Sequence, residues 1–499
     1  MSIWLSKEDQ AKTAPAHEAQ FESPIPTQIV SNGEYNPAPQ TRQQRQVEEV
    51  LGARADEAAK RAGMERREFL RSSLGMAAAF LAMNEVYGPL FQVNAAEAAD
   101  FDICTERSRG IANQFIFDVQ THFLHDEYAF EPMLGTRFAG HSWCSSVTAT
   151  KEFSLYKFEN YLQEVFLDSD TDIALLSGAP SETKGREALS NREMAEAREI
   201  INRHVGSKRL YSHAMVMPKY GDTKWLDDVD EAIEVHKPDS WKGYTIGDPL
   251  TYTPGNSWRM DDEKLVYPFY EKALNAGIKT ICIHKGLVPF EVGLRNPEIW
   301  ETASVVDVGK AAKDWPDLNF VIYHAGLHAG VTETKDAAKR FGKSGYLPWV
   351  TDLAEIPGRF GVSNVYAEIG TSFGSCAIAH PQLACALLGI LVKGMGADHV
   401  LWGTDSVFYG SPQWQIEALR RLDIPEEMQI THGFTPLGAA PDSPIKNQIF
   451  GLNAARLYGL EDAAKLRPFD SDTAAAIRAD YRASGGERSN LRYGFVHRA

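Results

Sequence analysis

Four segments that lie far apart in the chain close an apolar run with a polar residue, and that residue is a histidine or an aspartate each time. They are Phe117-Asp118-Val119-Gln120-Thr121-His122, Ile281-Cys282-Ile283-His284, Val321-Ile322-Tyr323-His324 and Leu401-Trp402-Gly403-Thr404-Asp405. Strand alternation puts Gln120 and His122 on one face. Imidazole nitrogen with carboxylate oxygen is a ligand set suited to zinc or a similar divalent ion that keeps a position open for water. The same groups serve acid–base chemistry near neutral pH. A single strand-end histidine is more often a satisfied structural residue, and Asp405 before Ser406-Val407-Phe408 could equally cap the next turn. Three imidazoles crowded beside a carboxylate lose solvation without gaining partners, which packing does not explain.

These residues can act together only if one architecture delivers their strand ends to one face. From Phe101 onward eight strand-like runs occur: Gln114 to Phe123, Thr171 to Gly178, Leu210 to Met217, Lys242 to Ile246, Lys279 to His284, Asn319 to His324, Asn364 to Ile369 and His399 to Asp405. Helical patterns fall between most of them, including Glu187 to His204, Asp261 to Ala276, Pro297 to Lys313 and Pro412 to Arg421. The strand centres recur roughly every 41 residues, the cadence of a (β/α)8 TIM barrel with an N-terminal extension and C-terminal helices. In such a barrel the carboxyl ends of the strands carry the chemistry. A doubly wound open sheet is the alternative, but no GxGxxG or GxxxxGK[ST] follows the first run.

A net charge of −16 excludes attraction to nucleic acid or an anionic membrane surface. The five cysteines, Cys104, Cys144, Cys282, Cys376 and Cys385, are odd in number and contain no CxxC pair, so neither a disulfide framework nor a zinc–thiolate cluster is expected.

Residues 1–63 read as an arm, extended at first and helical from Gln43 to Ala62, with Val47, Val50, Leu51 and Ala58 on one face. Residues 64–98 resemble a twin-arginine export signal: Arg66-Arg67, Phe69-Leu70, an apolar run from Leu74 to Met83, and Ala96-Glu97-Ala98 as the cleavage site. The run is too short for a transmembrane anchor. Export to the periplasm is the expectation. The alternative is a cytoplasmic protein that keeps the segment packed on its barrel. The barrel is placed at 101–465 and a C-terminal helix and tail at 466–499, against the barrel exterior or a second copy of the chain in a homo-oligomer.

The segments also carry a family resemblance. Asp118-Val119-Gln120-Thr121-His122, Trp241-Lys242-Gly243, Ile283-His284, Trp315-Pro316-Asp317-Leu318-Asn319-Phe320 leading into Tyr323-His324-Ala325-Gly326, Gly403-Thr404-Asp405 and Asn453-Ala454-Ala455-Arg456-Leu457-Tyr458-Gly459-Leu460 stand in order. From Phe115 to Leu460 the chain resembles the amidohydrolase superfamily, in the branch of the aminocarboxymuconate-semialdehyde decarboxylase-like enzymes. The resemblance implies one divalent metal at the carboxyl end of the strands, with zinc the expected ion. His122 and His284 would be ligands, Asp405 a ligand or the acceptor of a proton from metal-bound water, and His324 the second-sphere acid/base that polarises or protonates the substrate, titrating near neutrality unless perturbed. Lys242, at the start of its strand, is read as structural. The pattern has His or Glu where this chain has Gln120, a weaker donor. Three readings stay open: weak coordination by Gln120, a site working without metal, and a barrel that kept only binding.

The expected activity is metal-dependent hydrolysis of a small carboxylated or aromatic ester, lactone or amide. Non-oxidative decarboxylation is its rival, and a metal-free lactonase or a non-catalytic binding protein stands behind both. His125 and His328 are weaker candidates for the mouth. The inserts 126–169 and 247–258, with His141, Trp143, Tyr252 and Trp258, are candidates for an aromatic lid.

Overall fold

The computed structural model of the 499-residue chain describes residues 13–15, 23–30, 37–111, 114–128, 154–182, 186–249, 255–288, 293, 296–328, 334–460, 472–486, 488 and 495–497. Helix α1 (Arg42–Ala62) starts where Thr41 accepts from the Gln44 backbone N–H while the Gln44 side chain accepts from that of Thr41, and Gly63, at φ +67°, ends it. Val47, Leu51, Ala55 and Ala59, four residues apart, form its buried stripe. Helix α2 (Arg66–Arg71) carries the two arginines at its exposed start. The apolar run becomes α3 (Ser73–Tyr87), buried on nearly every side through Ala77, Ala78, Ala79 and Ala82. Helix α4 (Phe101–Ile111) follows.

This N-terminal layer is stitched to the barrel. Phe91 bridges Leu422, the Gln92 N–H donates to the Arg421 carbonyl at 2.7 Å, and that of Asp423 donates to the Leu90 carbonyl at 2.8 Å. Glu97, inside the expected cleavage tripeptide, is buried and holds Arg421 through both oxygens at 2.5 and 3.1 Å. No described helix is long and apolar enough to cross a membrane.

Eight parallel strands follow in sequence order: β1 (Phe117–Thr121), β2 (Ile173–Leu176), β3 (Leu210–Val216), β4 (Ser240–Tyr244), β5 (Thr280–His284), β6 (Asn319–Tyr323), β7 (Val365–Glu368) and β8 (Val400–Leu401). Each pairs with the next. Closure of β8 onto β1 is made by four backbone bonds: Val119 N–H to Trp402, Asp405 N–H to Gln120, His122 N–H to Ser406 and Val407 N–H to His122. The chain is therefore the expected (β/α)8 barrel. Among its outer helices, α5 (Asn191–Val205) is boxed by Ser190 and Glu193, α6 (Gly370–Ala379) follows β7, and α7 (Gln413–Arg421) follows β8.

The strand predicted from Lys242 begins two residues earlier, so Lys242 sits mid-strand in β4 rather than at its start. In the tail, α8 (Thr473–Ala483) is fixed to the barrel exterior: Asp472 caps it and accepts from Arg209 at 2.6 and 2.7 Å, while Arg478 donates to the Phe166 carbonyl at 2.8 Å. The last described strand, Phe495–His497, pairs antiparallel with Thr13–Pro15.

Candidate active site

The carboxyl ends of β1, β5, β6 and β8 bring Gln120, His122, His284, His324 and Asp405 together. Gln120 Nε2 lies 3.0 Å from Asp405 Oδ1 and 3.5 Å from His324 Nε2. His122 Nε2 is 2.9 Å from Asp405 Oδ1. The His284 and His324 rings meet edge to face at 4.7 Å. Two aromatic faces complete the walls: Phe408 stacks on His122 and Tyr244 on His284, each at 4.7 Å.

Asp405 is engaged on both oxygens, since Thr371 Oγ1 donates to Oδ2 at 2.5 Å while Gln120 and His122 share Oδ1. Burial acts to raise its pKa, but the His122 hydrogen bond and charge, with Thr371, hold it well below the usual carboxylate range. His284 and His324 behave oppositely. Burial drives His284 well below its ordinary value and His324 down to about 3. His324 is therefore a neutral imidazole at rest, perturbed from the near-neutral value of a free histidine because the barrel removes the water that would solvate its charge.

Asp118 lies beneath, fully buried, accepting from the N–H groups of Gln120 and Thr404 at 3.1 Å and from the Thr404 hydroxyl. Its burial pushes it up to about 7. It fixes the peptide N–H groups of Gln120 and of Thr404, the residue before Asp405.

Glu368, at the end of β7, went unrecognised in the sequence although it closes Val365-Tyr366-Ala367 as the histidines close their runs. It is fully buried and accepts from the His324 N–H at 2.9 Å and from the Gly370 N–H. Burial raises it to about 8. Its carboxylate occupies a slot made by two glycines: a Cβ at Gly370 would come within 2.5 Å of Oε1, and one at Gly403 would fall on the same atom. His324 and Ala325 adopt φ of +60° and +50°, a left-handed backbone costly for residues with a Cβ. Glu368 on the His324 N–H and Ser372 Oγ on its carbonyl, at 2.7 Å, hold that conformation.

Lys242 also comes to the interior. Its buried amine makes no hydrogen bond and stands 3.3 Å from the centre of the Tyr323 ring, and burial lowers it to about 8. Its neighbour on β3, His213, is satisfied by Ser240 and Tyr323.

The remaining candidates separate. His125 is half-buried in the loop after β1, and His328 stacks on Trp300 at 5.0 Å. The Trp258 side chain is buried and its backbone N–H donates to the Thr245 carbonyl, so it cements its loop to the barrel. His141, Trp143 and Tyr252 lie outside the described residues. Cys104, Cys282, Cys376 and Cys385 are buried free thiols.

For a divalent ion the donor chemistry is suitable. Gln120 Oε1 and the Nδ1 atoms of His122, His284 and His324 are buried without hydrogen-bond partners around an anionic carboxylate. These donors do not form a ready-made cage: among the described residues no three His, Cys, Asp or Glu side chains are grouped to hold a metal ion. His122 and Asp405 bond to each other, and Gln120 turns its amide N–H toward the carboxylate.

Comparison with known families decides the membership. The amidohydrolase family model matches residues 188–460, more than half of the chain. The chain belongs to the amidohydrolase family. This amidohydrolase is accordingly an enzyme, and its matched region spans β3 to β8 with three of the four converging strand ends. No curated protein matches it. Among solved structures it is similar to an uncharacterised TIM-barrel protein from Bordetella bronchiseptica, at 15% identity and TM-score 0.42, covering 70% of this chain and 99% of that one. It is also similar to 5-carboxyvanillate decarboxylase from Novosphingobium aromaticivorans with bound manganese (12%, TM-score 0.40) and 2,6-dihydroxybenzoate decarboxylase from Rhizobium (14%, TM-score 0.39), again over 70% of this amidohydrolase and 99% of each. Likeness at that level does not extend to chemistry.

Proposed function

We propose that this amidohydrolase-family enzyme removes carbon dioxide, without oxidation, from a small carboxylated substrate with an aromatic body. The supporting observation is the state of Asp405. Hydrolysis through activated water needs a carboxylate ready to take a proton. Asp405 is engaged by three donors and held well below the ordinary range, which makes it a weak base. Decarboxylation asks instead for flat apolar walls, little water and a proton for the carbon left behind. Phe408 and Tyr244 supply the walls. An anionic substrate beside His324 raises the low pKa of that imidazole, so the ring takes up a proton from water as the substrate binds. The bond between ring carbon and carboxyl carbon breaks, its electron pair stays on the ring carbon, and the His324 proton forms the new C–H bond.

A divalent metal ion is part of this reading. His122, His284 and Asp405 would hold it, with Gln120 Oε1 as a weak further donor, and it supplies positive charge to the substrate carboxylate. Zinc suits the donor set, and manganese is the ion named for the Novosphingobium decarboxylase.

Hydrolysis of an ester, lactone or amide is the second reading. It is favoured by the His122–Asp405 pair, a carboxylate-oriented imidazole whose Nδ1 has no protein partner. Product analysis with hydroxylated benzoates and aryl lactones separates the two. Carbon dioxide release supports decarboxylation. A new carboxylate or alcohol without it overturns that reading in favour of hydrolysis.

For location, we propose that residues 64–98 stay on the folded enzyme, supported by the Glu97–Arg421 pair within the expected cleavage tripeptide. The intact mass of protein from separated cell fractions tests this, and a mature chain beginning after Ala98 would overturn it.

A further inference from the structure

A cavity lies away from the barrel mouth, among α4, the start of α3, α7 and the C-terminal tail. Its volume is about 390 Å³, and small-molecule sites span roughly 300–1,000 Å³. Guanidinium groups of Arg107, Arg421 and Arg488 line it together with the apolar side chains of Leu74, Met76 and Phe101.

Positive charge around it exceeds negative. Among the described residues, Arg107, Arg420, Arg421, Arg482 and Arg488 pair with three carboxylates, Glu97, Asp170 and Glu417. Those three do not satisfy the donors. Nε of Arg107 lies 3.3 Å from Glu97 Oε1, whereas Nη2 of Arg107, Nη2 of Arg420 and Nε of Arg482 are buried without hydrogen-bond partners among the described residues. Burial lowers the pKa of both Arg107 and Arg482. Cations collected out of water with acceptors in deficit call for an anion.

We propose that this cavity binds an organic anion, a carboxylate or phosphate head on an apolar body, with the head among Arg107, Arg421 and Arg488 and the body against Leu74, Met76 and Phe101. Such a ligand would join three parts of the chain that reach the cavity separately: α4 of the N-terminal layer, α7 of the barrel and the tail. It would also bear on the mouth, because α7 carries Gln415, whose Nε2 donates to the Thr404 carbonyl at 3.0 Å, next to Asp405. The site takes no part in the chemistry at Asp405 and does not depend on which reaction runs there.

The test is calorimetric titration and thermal melting of the full-length protein with octanoate, phenyl phosphate and inorganic phosphate. Saturable binding of octanoate or phenyl phosphate with a raised melting temperature is expected, the tighter of the two showing whether the body is aliphatic or aromatic. Inorganic phosphate, lacking the body, binds more weakly. Arg107→Leu should weaken the tighter probe by about tenfold or more while activity is retained. Phe101, 62% exposed at the rim, gives a second variant that spares the fold: Phe101→Asp should weaken octanoate more than inorganic phosphate. His324→Ala should leave binding unchanged, which separates this cavity from the mouth. Absence of saturable binding by both organic probes, wild-type affinity in both cavity variants, or loss of binding in His324→Ala overturns the proposal.

Discussion

Gln120 Nε2 donates to Asp405 Oδ1 at 3.0 Å, so the first and last strands of the barrel meet through a neutral amide where the family pattern has His or Glu. Replacing that amide by an imidazole exchanges a donor for a metal ligand. Gln120→His should tighten zinc binding, read by elemental analysis of protein purified without chelators and by titration against a competing chelator. Unchanged metal content in the variant, with zinc added, would count against any metal role for this position.

Asp405→Asn keeps the shape and removes the charge. His122 loses its anionic partner, and Thr371 and Gln120 face a group that can itself donate. Turnover should fall by at least about a hundredfold, as for removal of a preorganised electrostatic group. Steady-state kinetics decide it, and near-wild-type turnover would dismiss Asp405 from the chemistry.

Glu368→Ala would strand the His324 and Gly370 N–H groups, each buried donor costing about 1–3 kcal/mol. Glu368→Gln keeps one acceptor but presents an amide N–H to the other donor. Denaturant unfolding should rank wild type above Gln above Ala, and kcat should follow the same order because the His324 backbone loosens. Activity independent of residue 368 would mean that the left-handed turn holds itself.

Glu97→Ala leaves Arg421 buried without its bidentate partner, and breaking a buried pair on one side costs about 3–5 kcal/mol. Chemical denaturation should show that loss in the whole barrel and not in the N-terminal layer alone, because Leu90 and Gln92 are hydrogen-bonded to Asp423 and Arg421 at the end of α7.

Lys446, buried with its amine 2.9 Å from the Arg420 carbonyl, is lowered by burial from 10.5 to about 7. Between those values the unfolded chain binds a proton that the folded chain does not, so stability rises with pH from about 7 to 10.5. Below pH 7 the penalty for burying the charge is fully present. Lys446→Met should flatten that rise in melting temperature, while its lost hydrogen bond lowers the curve evenly. An unaltered slope would show that other groups set it.

The barrel was legible because each strand is a short apolar run and because His122, His284, His324 and Asp405 interrupt the pattern at its end. Glu368 follows the same rule, but a lone acid after Tyr366-Ala367 carries no motif, and its value lies in a contact with His324 forty-four residues away. Lys242 reads as a strand start because Pro238-Asp239-Ser240 before it carries turn residues. Pairing with β3 and β5 overrides that weak local preference. The run Leu74 to Met83 reads equally well as an export segment or a buried helix, since both need the same apolar composition. Only the distant Arg421 distinguishes a packed layer. His324 titrates near neutrality only if unperturbed, and the sequence carries no measure of the desolvation that lowers it.

Gly370 and Gly403 leave room for one carboxylate, and their missing side chains are as much a part of the site as any imidazole. Grafting the four converging polar residues into another barrel scaffold would therefore reproduce the inventory without the turn at His324. An alanine at either glycine in a distant relative marks a chain that must orient its strand-six histidine by some other device.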